Sequence, residues 1–430
     1  MCYTFIVRNE SYKWWMLGCL ALAFFFNQTD RVLFGLLTIP IQKDLGLSDI
    51  QVGAVNTALF ATIALVTPLA GPFGDRFSRK WIITLSLIGW SLMTIVTGFV
   101  SGFLGLVFFR SIAAGVGEAC YNPSAVPLIA AHHRETRSLA LSIHQSTLYL
   151  GMIVSGMLIG GLFALFHDSW RPLFWLFGAC GLALGIAFVW VLKDKARSEV
   201  LSDQPSAGPT AQPFLAGVKV FFSCPSAVLI MCGAIAVVAV NNAYLAWAPK
   251  FAMAKFALSV EAAGTGTMAW HHACAFGAIF VSGWLTDRFA TRWPRFRLAV
   301  QIGALLFGAP AIACFGLVPS AGAAWTASAV YGLARGIFEA NTFATVFDVI
   351  AARFRSTAVG LMAMCSFLVG SLSPLFVGFM SERAKCAADP LGVAGFGRGF
   401  SLLGLLYLGG AALMAIALFR TFNGDRLKNG

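Results

Sequence analysis

The chain has 430 residues, of which 58% are hydrophobic and only 11% charged, with a formal net charge of +12. Soluble domains carry about a quarter charged residues, so an ordinary soluble globule is excluded and lipid must cover much of the apolar surface. The cations lie in short loops between apolar runs rather than on one basic face, which excludes a nucleic-acid-binding stripe.

A bilayer core about 30 Å thick needs about 20 apolar residues per helix. That ruler predicts twelve spans, near 14–38, 50–73, 81–100, 102–131, 138–165, 172–192, 222–248, 262–285, 298–317, 322–352, 357–380 and 397–420. Arg8 and Lys13 precede the first run as in a signal peptide. The run is too long for one and continues into polar residues, so it is read as a retained first span. Lys193-Asp194-Lys195 and the Ser/Pro/Gly-rich piece around Ser202-Asp203-Gln204-Pro205 belong to the one long polar stretch, 193–219. It is expected to be a flexible cytoplasmic linker joining an N-terminal six-helix half, 1–192, to a C-terminal half, 220–430.

With both termini in the cytoplasm, the inward loops and tails hold twenty Lys and Arg residues and the outward loops seven. The remaining three, Arg31, Arg110 and Arg335, lie within spans. This bias places both termini inside. The short loops carry no outward Asn-x-Ser/Thr site, so the expected location is a bacterial inner membrane, in contact with its lipid bilayer. The ten cysteines form no Cys-x-x-Cys pair, and most, Cys180 and Cys314 among them, lie in apolar runs and read as small buried hydrophobes.

The two halves repeat. Gly71-Pro72-Phe73-Gly74-Asp75-Arg76-Phe77 after the second span recurs as Gly283-Trp284-Leu285-Thr286-Asp287-Arg288-Phe289 after the eighth. Glu118-Ala119 in the fourth span matches Glu339-Ala340 in the tenth, and the same offset aligns Arg134 with Arg355. The fold class expected is therefore an all-α membrane protein of twelve transmembrane helices in two pseudo-symmetric halves, an organisation that places the site between the halves.

The segment from Gly71 to Lys80 resembles the G-x-x-x-D-R-x-G-R-R/K loop of the major facilitator superfamily, with Ser78 where that family prefers Gly. Asn27-Gln28-Thr29-Asp30-Arg31, Gly115-Val116-Gly117-Glu118-Ala119 and Ser169-Trp170-Arg171-Pro172 are similar to its Spinster-like and organic anion:cation symporter branches. In those branches an arginine stands four residues before the first Gly of the fourth-span motif; here Arg110 stands five before Gly115, a displacement of about 100° round a helix. Met157 replaces the Pro of the antiporter signature, which favours uniport or symport. The resemblance implies gating roles for Asp75, Arg76 and Arg79, with Asp287 and Arg288 as their repeats and Arg134 or Arg137 as partners. The alternative is a basic loop that sets topology and nothing more.

Charged groups inside a bilayer cost at least ~2.5–3.5 kcal/mol each, which makes them functional candidates. Asp30 and Arg110 lie at similar depth and are expected to pair, by function or merely to fix helix register. Arg31 is turned about 100° from Asp30, so the two cannot share a partner. Glu118 has no evident cation on its own helix face, because Arg110 is eight residues away. A buried carboxylate is cheapest when neutral, so Asp30 and Glu118 are the candidate proton carriers, although a permanently bonded acid would look the same. Arg335 and Glu339 share a face at i, i+4, so Arg335 either binds a substrate anion or is already neutralised. Asn341, Asn242, Tyr121 and Arg31 complete the candidate substrate contacts. Trp247 reads as an interfacial belt residue and His144 as a vestibule residue.

His271-His272 and His132-His133 lack the third and fourth ligands a membrane metalloenzyme needs, and no Gly-rich phosphate loop is present. No enzyme activity and no cofactor are expected. The expected activity is proton-coupled, alternating-access transport of a small organic anion such as a sugar acid or carboxylate, by a monomer whose partners are the substrate and protons. The rivals are a Spinster-like carrier of lysolipids or other amphiphiles and a non-transporting sensor on the same fold.

Overall fold

A computed structural model describes residues 2–133, 135–193, 214–290 and 292–429, with the backbone alone for 2–10, 71–76, 138, 214 and 427–429. Most of the expected linker, and Arg134, lie outside the described residues. Among the described residues twelve long helical rods follow one another. They are α1 (Cys2–Leu36), α2 (Asp49–Arg76), α3 (Arg79–Thr97), α4 (Phe103–His132), α5 (Arg137–Leu165) and α6 (Arg171–Val191). The second set is α7 (Pro225–Phe256), α8 (from Val260 to Ala290), α9 (Phe296–Leu317), α10 (Ala321–Phe347), α11 (Ala352–Ala384) and α12 (Val393–Arg426). Short helices Thr38–Leu45, bent 59° from α1, and Phe214–Phe222 flank the first and seventh rods.

Among the described residues nine helices are long and apolar enough to cross a membrane unaided, and α1 with its bent continuation makes ten. The two that fall short, α8 and α10, carry His271, His272, Arg335 and Glu339. Their polarity is tolerable because those side chains face protein rather than lipid. With twelve rods, both termini emerge at one end of the bundle, called here the terminal end; the opposite end is distal.

Rod starts follow local chemistry. Ser48 and Gln51 form a capping box at α2, with the Ser48 hydroxyl accepting from the Gln51 amide (3.2 Å) and the Gln51 side chain accepting from the Ser48 amide (2.9 Å). Ser78, Ser259 and Ser320 cap α3, α8 and α10. Pro172 and Pro225 stand in the first turns of α6 and α7, where a missing N–H costs nothing. Gly46 (φ 64°) supplies the left-handed turn that lets the chain re-enter the bundle.

Packing repeats between the halves. In the first, α1 lies against α5 and α6, α2 against α4, and α3 against α4 and α6; in the second, α7 lies against α11 and α12, α8 against α10, and α9 against α10 and α12. The halves meet through α2 on α11, α5 on α8 and α1 on α7, as a pseudo-two-fold axis requires. These crossings are closest toward the distal end and use small residues. A Cβ added at Gly264 would fall 2.2 Å from the Gly156 carbonyl oxygen, and one at Gly53 2.7 Å from that of Pro374. The Thr57 hydroxyl donates to the Ser371 carbonyl at 2.6 Å across the same seam. Cys180 and Cys314 are exposed on the apolar surface, not buried as expected, because lipid is as apolar as a protein interior and leaves a small hydrophobe free to face either.

Gly264→Val should cost about 1–3 kcal/mol through overpacking of α5 on α8 and lower the thermal unfolding midpoint in detergent. Gly277→Val, where an added Cβ meets nothing within 4 Å, is the control and should leave that midpoint nearly unchanged.

Candidate functional site

Three charged clusters are buried in the bundle. The first lies within the N-terminal half, at mid-depth. Glu118 on α4 accepts from Arg31 Nε at 3.0 Å. Arg110 donates from Nη2 to the Asp30 carbonyl (3.0 Å), while its Nη1 stands 3.6 Å from Asp30 Oδ2 and 4.0 Å from Glu118 Oε1. Thr94 on α3 donates to Asp30 at 3.2 Å, and the Phe34 ring lies 5.6 Å from the Arg110 guanidinium. Two acids and two guanidiniums therefore balance. Asp30 Oδ1, Glu118 Oε1 and Arg110 Nη1 have no hydrogen-bond partner among the described residues and keep bonding capacity in reserve.

Glu118 thus has two cations, contrary to the expectation of none. The reason is local. Leu106–Ala113 is a π-helical stretch of α4, and such a stretch absorbs an extra residue in a helix. The five-residue spacing from Arg110 to Gly115 is taken up there, and Arg110 is turned back onto the face of Glu118. Arg31 supplies the other cation from α1. Asp30 and Arg31 do take separate partners, and both still join one network through α4.

The second cluster straddles the halves. Arg335 on α10 donates from Nε to Glu339 at 2.8 Å, while the other Glu339 oxygen accepts from Tyr149 of α5 at 2.5 Å. Arg335 Nη1 lies 3.3 Å from His271 Nε2 and 3.4 Å from His272 Nε2. A guanidinium only donates, so both imidazoles accept at Nε2 and donate from Nδ1, to the Ser328 and Met268 carbonyls. Both rings are therefore neutral. The Glu339 side chain is 32% exposed although it sits in mid-helix at the seam, so it borders solvent-accessible space. Neither histidine nor Tyr149 was singled out as a site residue. The adjacent His-His pair in an apolar run was a signal, but it reads first as metal chemistry; no group of metal-ligating side chains exists among the described residues.

The third cluster lies at the distal end. Asp49, fully buried, pairs with Lys250 of α7 and with Lys385 after α11 (3.1 Å), and accepts from the Ser381 hydroxyl at 2.8 Å. Its backbone N–H donates to Glu382 (2.8 Å), and Lys250 also donates to Gln42 (2.6 Å). Burial works against the Lys385 ammonium, but Glu382 and Asp49 hold its pKa above the ordinary lysine value. All the anchors here come from opposite halves. Sequence reasoning missed the cluster because Lys250 and Lys385 were counted only as outward loop charges that set topology.

Several expected contacts lie elsewhere. Tyr121 is turned into the first half's core, donating to the Leu20 carbonyl at 2.5 Å with His144 beside it at 3.2 Å. Phe24 of α1 stacks on both rings, and Tyr121 and His144 are buried in this conformation. Asn341 is buried and donates to Ser282 (3.1 Å), binding α10 to α8. Asn242 is buried on α7 with its amide nitrogen unpartnered. Trp247, expected in the interfacial belt, is fully buried and donates to the Pro374 carbonyl at 2.8 Å. At the terminal end, Arg297 binds Asp287 (2.8 Å) and reaches Asp348 (3.5 Å), all within the second half, and Arg288 lies 5.9 Å from the Trp284 ring. Arg79 begins α3 beside the Ser78 cap. The side chains of Asp75 and Arg76 lie outside the described residues.

Two repeated six-helix halves around buried ion clusters define a membrane transporter. Residues 20–374 match the Major Facilitator Superfamily, and the chain belongs to that family. It is 27% identical to Protein spinster homolog 1 of Xenopus tropicalis, over 85% of this chain and 72% of that protein. It is 26% identical to the hexuronate transporter of Bacillus subtilis strain 168, over 87% of this chain and 90% of that one. The fold matches the crystal structure of a bacterial homolog of the human lysosomal transporter Spinster, inward-facing and unoccupied, with a TM-score of 0.83 at 23% identity over 96% and 98% of the two chains.

Breaking a buried ion pair from one side costs about 3–5 kcal/mol, so Asp49→Ala should destabilise the protein on that scale by stranding Lys250. The double variant Asp49→Ala/Lys250→Met should be more stable than the single one. Thermal unfolding in detergent checks the order, and a double variant no better than the single one would mean the pair does not hold the distal end.

Proposed function

We propose that this chain is a proton-coupled symporter of a small organic anion, of the sugar-acid or carboxylate class, working by alternating access. The observation that carries the reading is the pair of mid-depth arginine–carboxylate clusters, Arg31–Glu118–Arg110–Asp30 in one half and Arg335–Glu339 in the other, with Tyr149 bridging the seam. Residues 1–192 rock against 220–430 about the linker 193–219. The terminal end and both termini face the cytoplasm of a bacterium whose inner membrane holds the protein as a monomer. With the distal cluster closed, the conformation is inward-facing, like the solved Spinster homolog. Asp75, Arg76 and Arg79, with Asp287 and Arg288, close the terminal end in the opposite state.

The chemistry follows from charge balance. The first cluster is neutral when both acids are ionised. A proton on Glu118 removes the charge that holds Arg31, whose side chain is 16% exposed, and frees that guanidinium for a substrate anion. On the opposite wall, Arg335 is oriented by Glu339 and two neutral imidazoles, with Nη2 used by none of those bonds. The hexuronate transporter relative supports the anion class. The mouse sphingosine-1-phosphate transporter, 26% identical over 95% of this chain and 77% of that protein, supports a second reading, a carrier of amphiphiles with an anionic head, which would use the same cations. A sensor that binds without moving solute has no comparable support.

Glu118→Gln in proteoliposomes should abolish uphill accumulation under an imposed pH gradient while preserving counterflow exchange, because exchange needs no net proton movement. Uphill uptake that persists in this variant would make Glu118 structural.

Arg335→Lys keeps the charge but loses the planar fork, so it should weaken substrate binding by about ten-fold or more, with Arg335→Ala weaker still. A screen of sugar acids against lysolipids in the same vesicles separates the two substrate readings, and unchanged affinity in both variants would remove Arg335 from the site.

A further inference from the structure

At the terminal end, the turn between α8 and α9 and the last stretch of α12 enclose a cavity of about 380 Å³. It is lined by Arg292, Trp293, Pro294, Arg295, Asn423 and Arg426. Among the described residues no carboxylate lines it. Arg295 uses Nε to donate to Asn423 at 2.8 Å, which leaves its two terminal nitrogens. None of the three guanidiniums forms an ion pair with a described carboxylate, whereas Arg297 nearby takes both Asp287 and Asp348. Asp425 does not face this group as a partner; it accepts from the Ser226 amide at 2.9 Å. Three arginines on one small concavity form an anion site, although Arg426 also lies within electrostatic reach of Asp348, and guanidiniums fork onto phosphate oxygens.

The depth and surroundings point to the source of that anion. Trp293 is 63% exposed and packs against Phe289 and Phe296, the arrangement of an aromatic anchor at headgroup level. On α12, Phe419 is exposed in the π-helical stretch Ala417–Thr421, just before the turn of helix that carries Asn423 and Arg426. Ile416, one turn earlier, is exposed as well. An acyl chain lying along that apolar face ends at the arginines. Basic pockets of this kind between helix ends are suited to anionic headgroups.

We propose that this cavity binds the phosphate of an anionic phospholipid, with phosphatidylglycerol as the probe, and so ties the α8–α9 turn to α12. The proposal depends on the bundle lying in a bilayer. It does not depend on the substrate or on which end is cytoplasmic.

The test is native mass spectrometry of the full-length protein released from nanodiscs of mixed phosphatidylglycerol and phosphatidylethanolamine. The parent protein should retain phosphatidylglycerol preferentially, and Arg292→Gln/Arg295→Gln/Arg426→Gln should reduce that preference by about two orders of magnitude, at roughly 1 kcal/mol of attraction per arginine near an anionic surface. Arg353→Gln, in a different loop, should leave the preference intact, and thermal unfolding should show that every variant is folded. Equal enrichment in the triple variant and the parent would overturn the site. Displacement of the bound lipid by millimolar inorganic phosphate would overturn the lipid assignment and leave a soluble-phosphate site.

Discussion

A charge buried in a bilayer must be compensated by something within a few ångströms, and the arrangement of this protein follows from that cost. Asp30, Arg31, Arg110 and Glu118 compensate one another; so do Arg335 and Glu339, and Asp49 with Lys250 and Lys385. None of these sets has a large surplus of partners. A movement that separates members must therefore supply a substitute, whether water, a proton or a bound anion. This links conformational change to chemistry without any special device.

The three sets respond differently to rocking because they are distributed differently between the halves. The Arg31–Glu118 set lies wholly in one half and travels with it, so its charge state can change in either conformation. The Arg335–Glu339 set is joined to the other half by one bond, from Tyr149. The Asp49 set is built almost wholly from cross-half bonds and is lost as a unit when the distal end opens. Under the proposed function, the first stores a proton, the second reports what lies between the halves, and the third sets which end is shut. Tight glycine contacts such as Gly156 on Gly264 add a packing term at the same distal seam as the ionic one.

Much of the architecture was legible in the sequence because lipid imposes a length rule on apolar runs. Twelve spans and the repeat of Glu118 at Glu339 required nothing more than that rule and an offset. Partner choice was not legible. Arg110 was displaced by one residue on an ideal helix, and only a π-helical stretch, which leaves no mark in an apolar run, returns it to Glu118. Lys250 and Lys385 were counted as outward loop charges, and nothing in their spacing points to Asp49, some two hundred or more residues earlier. His271 and His272 were visible as an oddity, but their role as paired acceptors for Arg335 exists only where α8 meets α10. The partner of Tyr121 was equally hidden: its ring lies within one turn of Glu118, and the fold bonds its hydroxyl to a carbonyl of α1.

Charge balance also constrains stoichiometry under the proposed function. The first cluster holds two carboxylates and two guanidiniums, so one added proton leaves one positive charge unmatched. A single carboxylate on the substrate restores neutrality, and the loaded carrier crosses with the same net charge as the empty one. A dianion would need a second proton, with Asp30 the only other acid in that cluster. Asp30, however, is held near Arg110 and bonded to Thr94, and neutralising it would strand a guanidinium that has fewer routes to water than Arg31. The geometry therefore favours one proton with one monoanion over any cycle that carries two.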